Sequence, residues 1–158
     1  MKFFLFICLL ASSFLTHASA FDKGNKGVAV KISGASIGRE DYTILGVSAN
    51  YFVIDNLSVA GGYEYWFSGS PDVSKLSAES TYFIPLSEQF RPYLGVLYSH
   101  YFISGNTDAD TLGYRAGISY LNSPMILSLG IKQEKFLDDR DSFSGTDTTT
   151  EFLVGFSF

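Results

Sequence analysis

The chain has 158 residues and is 46% hydrophobic, 16% aromatic and only 17% charged, with 15 glycines and a formal charge of −5. One domain is expected at this length, and the acidic balance argues against nucleic acid, whose recognition calls for a basic patch. A surface facing water ordinarily carries about a quarter or more charged side chains, so the solvent is not expected to be water on every side.

Residues 1–20 read as a secretory signal peptide. Met1-Lys2 supplies a positive start, Phe3 to Leu15 is nearly all apolar, and Ala18-Ser19-Ala20 gives the small-x-small pattern of a cleavage site. The apolar run falls short of the about 20 residues that a helical span needs. Cleavage after Ala20 is expected to leave Phe21 first, with 21–158 as one domain. Cys8 is the only cysteine and leaves with the signal. The mature chain is therefore expected to be exported without a disulfide, so a different constraint must stabilise it. Removing Lys2 from the eleven basic residues leaves ten against sixteen acidic ones, a balance of −6. No cofactor is expected.

The rest divides into eight runs of alternating polarity, near 26–33, 42–52, 57–67, 74–84, 92–102, 111–121, 125–134 and 148–158. Alternation with period two marks strands with two unlike faces, and no useful run of helical period intervenes. Three separators, Val53–Asn56, Pro85–Arg91 and Asn122–Pro124, are short or proline-marked. The other four, Gly34–Asp41, Ser68–Val73, Ile103–Asp110 and Lys135–Asp147, are generally longer and polar. Tight turns at one end and loops at the other describe an up-and-down meander, with both termini at the short-turn end.

One parity holds uncharged apolar residues such as Val28, Val30, Ile32, Leu45, Val47, Tyr63, Leu94, Val96, Leu129 and Ile131. The other holds glycine, serine and alanine with Lys31, Glu64, Lys75, Glu79, Arg115, Lys132, Glu134 and Glu151. A soluble ligand-binding barrel would turn the first face inward, whereas a membrane barrel would turn it outward. Glycine and serine make a poor water-facing surface but suit the cramped lumen of eight strands. Aromatics near the strand ends, among them Tyr42, Tyr51, Phe52, Phe67, Tyr82, Phe83, Phe90, Tyr93, Tyr101, Phe102, Tyr120 and Phe158, are expected to form interfacial girdles. The fold class is all-β: an eight-stranded antiparallel up-and-down transmembrane β-barrel. Closure would pair every backbone group without water.

The stretches NYFVIDNLSVAGGYEYWF, FRPYLGVLYSHYF and GYRAGISYLNSP resemble the hairpins and strands of small outer-membrane barrels of the OmpA-membrane-domain, OmpX and opacity-protein group. The ending EFLVGFSF resembles the signature read by their assembly machinery. The resemblance spans essentially the whole mature chain. It implies the outer membrane of a Gram-negative envelope, contact with outer-membrane lipid and lipopolysaccharide, and biogenesis through periplasmic chaperones and the barrel-assembly machinery. A monomer is expected. Phe152, Val154, Phe156 and Phe158 would then be both outward-facing residues and an assembly tag.

Four constellations are candidates for function. Lys31, Glu64, Glu79, Arg115, Lys132 and Glu151 lie at similar heights above the short-turn end and are expected to form one lumen layer. Glu151 is expected near Lys31 or Lys132, and Glu64 near Glu79 with a base between. Such a layer is a salt-bridged plug or, on a sharper reading, a gate; eight strands leave an interior just wide enough for side chains, which favours the plug. His100, the one histidine of the mature chain, adjoins Ser99, but adjacent strand residues face opposite ways and make no catalytic dyad. Asp138, Asp139 and Asp141 lie in an acidic loop without calcium-loop spacing, which favours a solvated face over a metal site. Trp66 either caps the lumen or joins the outer girdle beside Phe67. The leading function is a non-enzymatic envelope or surface-contact barrel, followed by a narrow conduit for a small or apolar solute and then a lipid-modifying enzyme.

Overall fold

A computed structural model describes residues 19–37, 40–137 and 146–158. Eight strands, β1 (Lys26–Ile37), β2 (Glu40–Ile54), β3 (Leu57–Phe67), β4 (Val73–Phe83), β5 (Phe90–Ile103), β6 (Ala109–Asn122), β7 (Met125–Phe136) and β8 (Thr146–Ser157), close into one antiparallel barrel in sequence order. The closing pair joins β1 to β8, with Val30 opposite Val154. Phe158 continues the seam beyond β8 by exchanging backbone hydrogen bonds with Lys26 at 2.8 and 3.0 Å. Closure leaves no sheet edge, which supplies a constraint of the kind that a disulfide gives many small domains.

All eight expected runs are strands, and the main differences lie at their outer ends. β1 continues through Gly34 to Ile37, and β2 begins at Glu40, so most of the expected first loop is hairpin. The expected contrast in connection length is not strict. Residues 84–89 join β4 to β5 at the terminus-bearing end and outnumber residues 68–72, which join β3 to β4 at the other end.

The outward face is apolar at mid-height: Val47 is 56% exposed, Val96 63% and Leu129 59%. Soluble monomers rarely present a continuous apolar surface of this kind. The inward face packs in three tiers. Nearest the outer loops, Tyr42, Ile44, Trp66, Val73, Tyr101, Ile103 and Ala109 form an apolar cluster. The middle tier is ionic. Ala20, Phe21 and Phe52 form the floor, with Phe83, Leu121 and Ile126 packed against them.

This stacking corrects the girdle expectation. Tyr42, Phe52, Tyr93 and Tyr101 are buried in the lumen, and Phe83 also turns inward onto Phe21 and Phe52, although all lie near strand ends. Parity decides their facing, and all five share the parity of the inward charges. Trp66 is resolved by the same rule: it is 2% exposed, with its ring 5.4 Å from Tyr42 and 5.8 Å from Tyr101, and it caps the lumen.

Candidate functional site

The candidate site is the ionic middle tier. Lys31, Glu64, Glu79, Arg115, Lys132 and Glu151 all point into the lumen, and Lys75 and Glu134 join them. Glu64 faces three lysines: Lys31 in direct contact, Lys75 at 2.9 Å and Lys132 at 3.7 Å. Glu134 accepts from Lys132 at 2.9 Å and Lys75 at 3.2 Å, and from Ser99, Thr111 and Tyr101 at 2.7, 2.9 and 3.1 Å. Arg115 bridges Glu79, which it touches directly, and Glu151 at 2.6 Å; Glu151 also takes the Tyr93 hydroxyl at 3.1 Å.

Lys31 closes the chain by lying 3.6 Å from Glu151. A continuous path of alternating sign thus runs Glu79, Arg115, Glu151, Lys31, Glu64, the Lys75–Lys132 pair and Glu134. The four acids balance the four bases. Buried charges are tolerable when paired and further hydrogen-bonded, and costly otherwise. Every charge of this path has an ionic partner, while Glu64 Oε2, Glu151 Oε2 and Arg115 Nε are buried without a hydrogen bond.

One pairing expectation needs correction: no single base joins Glu64 to Glu79, and the link runs through Lys31, Glu151 and Arg115. Of the two partners expected for Glu151, Lys31 is the one beside it, at 3.6 Å, while Lys132 turns to Glu64 and Glu134. The layer also holds eight charges rather than six. Lys75 and Glu134 lie farther from the turn end by residue count, so they fall outside a layer drawn at equal height. Strand tilt removes the discrepancy, and Glu64 stands directly opposite Lys75 in the β3–β4 ladder. Carrying the register across that hairpin would have found the pair.

The inward glycines make the space. Gly46 lies opposite Glu64, Gly95 opposite Arg115 and Gly113 opposite Glu134. A Cβ on Gly46 would stand 2.9 Å from the Glu64 Cγ, so the acid lies over bare backbone. The Tyr93 hydroxyl end crosses Gly117 and Gly130 in the same way, which brings it to Glu151.

The other candidates sit elsewhere. Ser99 is fully buried in the lumen on Glu134, whereas His100 points outward, with Nδ1 2.7 Å from Asp110 and Nε2 3.7 Å from Asp108. Phe152 and Phe156 are exposed on the outward face, Val154 is half-buried there, and Phe158 is 59% exposed. Ala18, Asp138, Asp139 and Asp141 lie outside the described residues. Among the described residues, no group of three or more His, Cys, Asp or Glu side chains is arranged to hold a metal.

Comparison with solved structures supports the fold. The N-terminal β-barrel domain of Pseudomonas aeruginosa OprF superposes with a TM-score of 0.69 at 18% identity, covering 86% of this chain and 98% of that one. Neisserial surface protein A gives 0.63 at 19% identity, covering 85% and 95%. Ail, the attachment invasion locus protein of Yersinia pestis, gives 0.53 at 14% identity, covering 86% and 99%. Neither a family model nor a curated protein matches the sequence. The fold is therefore that of the small eight-stranded outer-membrane barrels of OmpA, OmpX and opacity type.

Proposed function

We propose that this protein is an integral outer-membrane barrel of a Gram-negative envelope whose sealed body holds its outer loops at the cell surface. There it contributes to envelope integrity or surface contact, without enzymatic chemistry. The observation that carries this reading is a lumen tier in which four acids and four bases pair into one network, with apolar tiers above and below, inside a barrel with an apolar exterior. An interior filled in this way suits a rigid support better than a conduit. The wide apolar exterior calls for acyl chains as its solvent. Ser99 and His100 face opposite sides of the wall, which removes the one nucleophile–base pair that their adjacency suggested.

On this reading the mature protein is a monomer among outer-membrane lipid and lipopolysaccharide, delivered by periplasmic chaperones and folded by the barrel-assembly machinery. Phe152, Val154, Phe156 and Phe158 serve as the assembly signature. The proteins of similar fold include a neisserial surface protein and an attachment invasion locus protein, which supports a surface role.

Two measurements test the proposal together. Purified mature protein in planar bilayers is expected to show no unitary current steps, and a deletion strain is expected to become more sensitive to detergent. Steady steps would replace the support reading with the conduit. Unchanged detergent sensitivity, together with normal adhesion to surfaces, would remove the envelope role.

A further inference from the structure

The terminus-bearing end of the lumen is closed by the segment that precedes β1. Phe21 is fully buried; its ring lies 5.7 Å from Phe52 and 4.8 Å from Phe83, with the Arg91 guanidinium 4.3 Å over its face. The segment is stitched to the β2–β3 turn. The Phe21 carbonyl accepts from Asn56 N–H at 2.8 Å, Lys23 N–H donates to Asp55 at 2.8 Å, and Gly24 N–H donates to the Phe52 carbonyl at 2.8 Å. Gly24, at φ 93°, supplies the left-handed turn that sends the chain from the floor into the barrel wall.

Between this floor and the ionic tier lies a cavity of about 80 Å³. Its wall is mixed and largely apolar: Phe52, Phe83 and Ile126 line it beside Ser48, Ser128 and Arg115, and Phe21 packs behind Phe52 and Phe83. The polar groups offer hydrogen-bonding partners to a few water molecules.

We propose that residues 21–25 are a releasable stopper, with the Phe21 ring as its plug, that controls access from the terminus-bearing end to this chamber. The segment is bound by one ring and a few hydrogen bonds, outside the strand ladders. Its release is therefore a local opening that leaves the barrel intact. The ionic and outer apolar tiers stay closed, so release admits solutes to the chamber and not across the wall. Processing after Ala20 would make Phe21 the first residue. Arg91 would then lose its 3.2 Å contact with Ser19 and keep Asn56 and the Phe21 ring.

The test uses single cysteines in the mature chain, refolded in detergent micelles and challenged with a small methanethiosulfonate reagent. Ser128→Cys reports the chamber, and Ala35→Cys reports the lumen beyond the ionic tier. With Phe21 present the Ser128→Cys thiol should react slowly. Phe21→Ala should accelerate it about tenfold or more, as expected for removal of a local barrier, while Phe21→Leu stays slow and Ala35→Cys does not change. Asp55→Ala, which removes the Lys23 support, should give an intermediate rate and provides a second route should Phe21→Ala fold poorly. Heat-modifiable migration checks that each variant is a closed barrel. Equal Ser128→Cys rates with and without the Phe21 ring, or parallel acceleration at Ala35→Cys, would overturn the stopper. These rates are read on isolated protein, so they stand or fall separately from the envelope role.

Discussion

Glu64 is the carboxylate on which three ammonium groups converge, and removing its charge leaves Lys31, Lys75 and Lys132 competing for Glu134 and Glu151. Breaking a buried pair by deleting one partner typically costs about 3–5 kcal/mol, because the remaining charge is stranded. Glu64→Gln should therefore lower stability by about that amount, read as a shifted urea midpoint for the barrel in lipid vesicles. Glu79→Gln should cost less, because Arg115 keeps Glu151 at 2.6 Å. Equal losses in the two variants would show that the tier acts as diffuse charge rather than as these specific pairs. Six of the eight participants were legible from parity and height, since an inward charge on a strand has nowhere else to go. The pairings were not legible: they depend on tilt and on how far long side chains reach across the lumen, which a residue count along one strand omits.

At the scale of the strand, glycine and large side chain act as a unit. Gly117 and Gly130 face each other across the β6–β7 ladder, and the Tyr93 ring end occupies the room that their missing side chains leave. Gly130→Val should push Tyr93 off Glu151 and cost about 1–3 kcal/mol, the usual penalty for overfilling a packed interior. Adding Tyr93→Ala should recover part of the loss in a double-mutant cycle; strictly additive losses would mean the glycine serves the backbone instead. The same logic explains why the aromatics misled at the ends of strands. Position along a strand suggested a girdle, but face is set by odd or even count, and Tyr42, Phe52, Tyr93 and Tyr101 fall on the inward count. The last strand separates two roles by experiment. Phe158 contributes its backbone to the seam with Lys26, and a serine there keeps that pairing. Phe158→Ser should refold in vesicles like the parent yet reach the membrane in reduced amount in cells; equal yields in cells would leave Phe158 as an ordinary outward residue.

For the whole molecule, the three tiers are barriers in series. The outer tier packs Trp66 between Tyr42 and Tyr101. The middle tier is the ion-paired path, and the floor is Phe21 with Phe52. Resistances in series add, so opening one leaves the other two in control. A gate carried by the ionic tier alone would behave differently: disrupting it would produce current. Glu151→Ala is the discriminating variant, because it frees Arg115 and Lys31 partially while each keeps one carboxylate, Glu79 and Glu64 respectively. It should melt earlier in a heat-modifiability series and remain silent in planar bilayers, as should Trp66→Ala. Unitary steps from Glu151→Ala with its thermal midpoint unchanged would reverse the assignment and make the ionic tier the gate. Buried ion pairs give modest net stability for their desolvation cost, so a tier that only fills and orients the lumen should show its loss in the melting midpoint and not in the current.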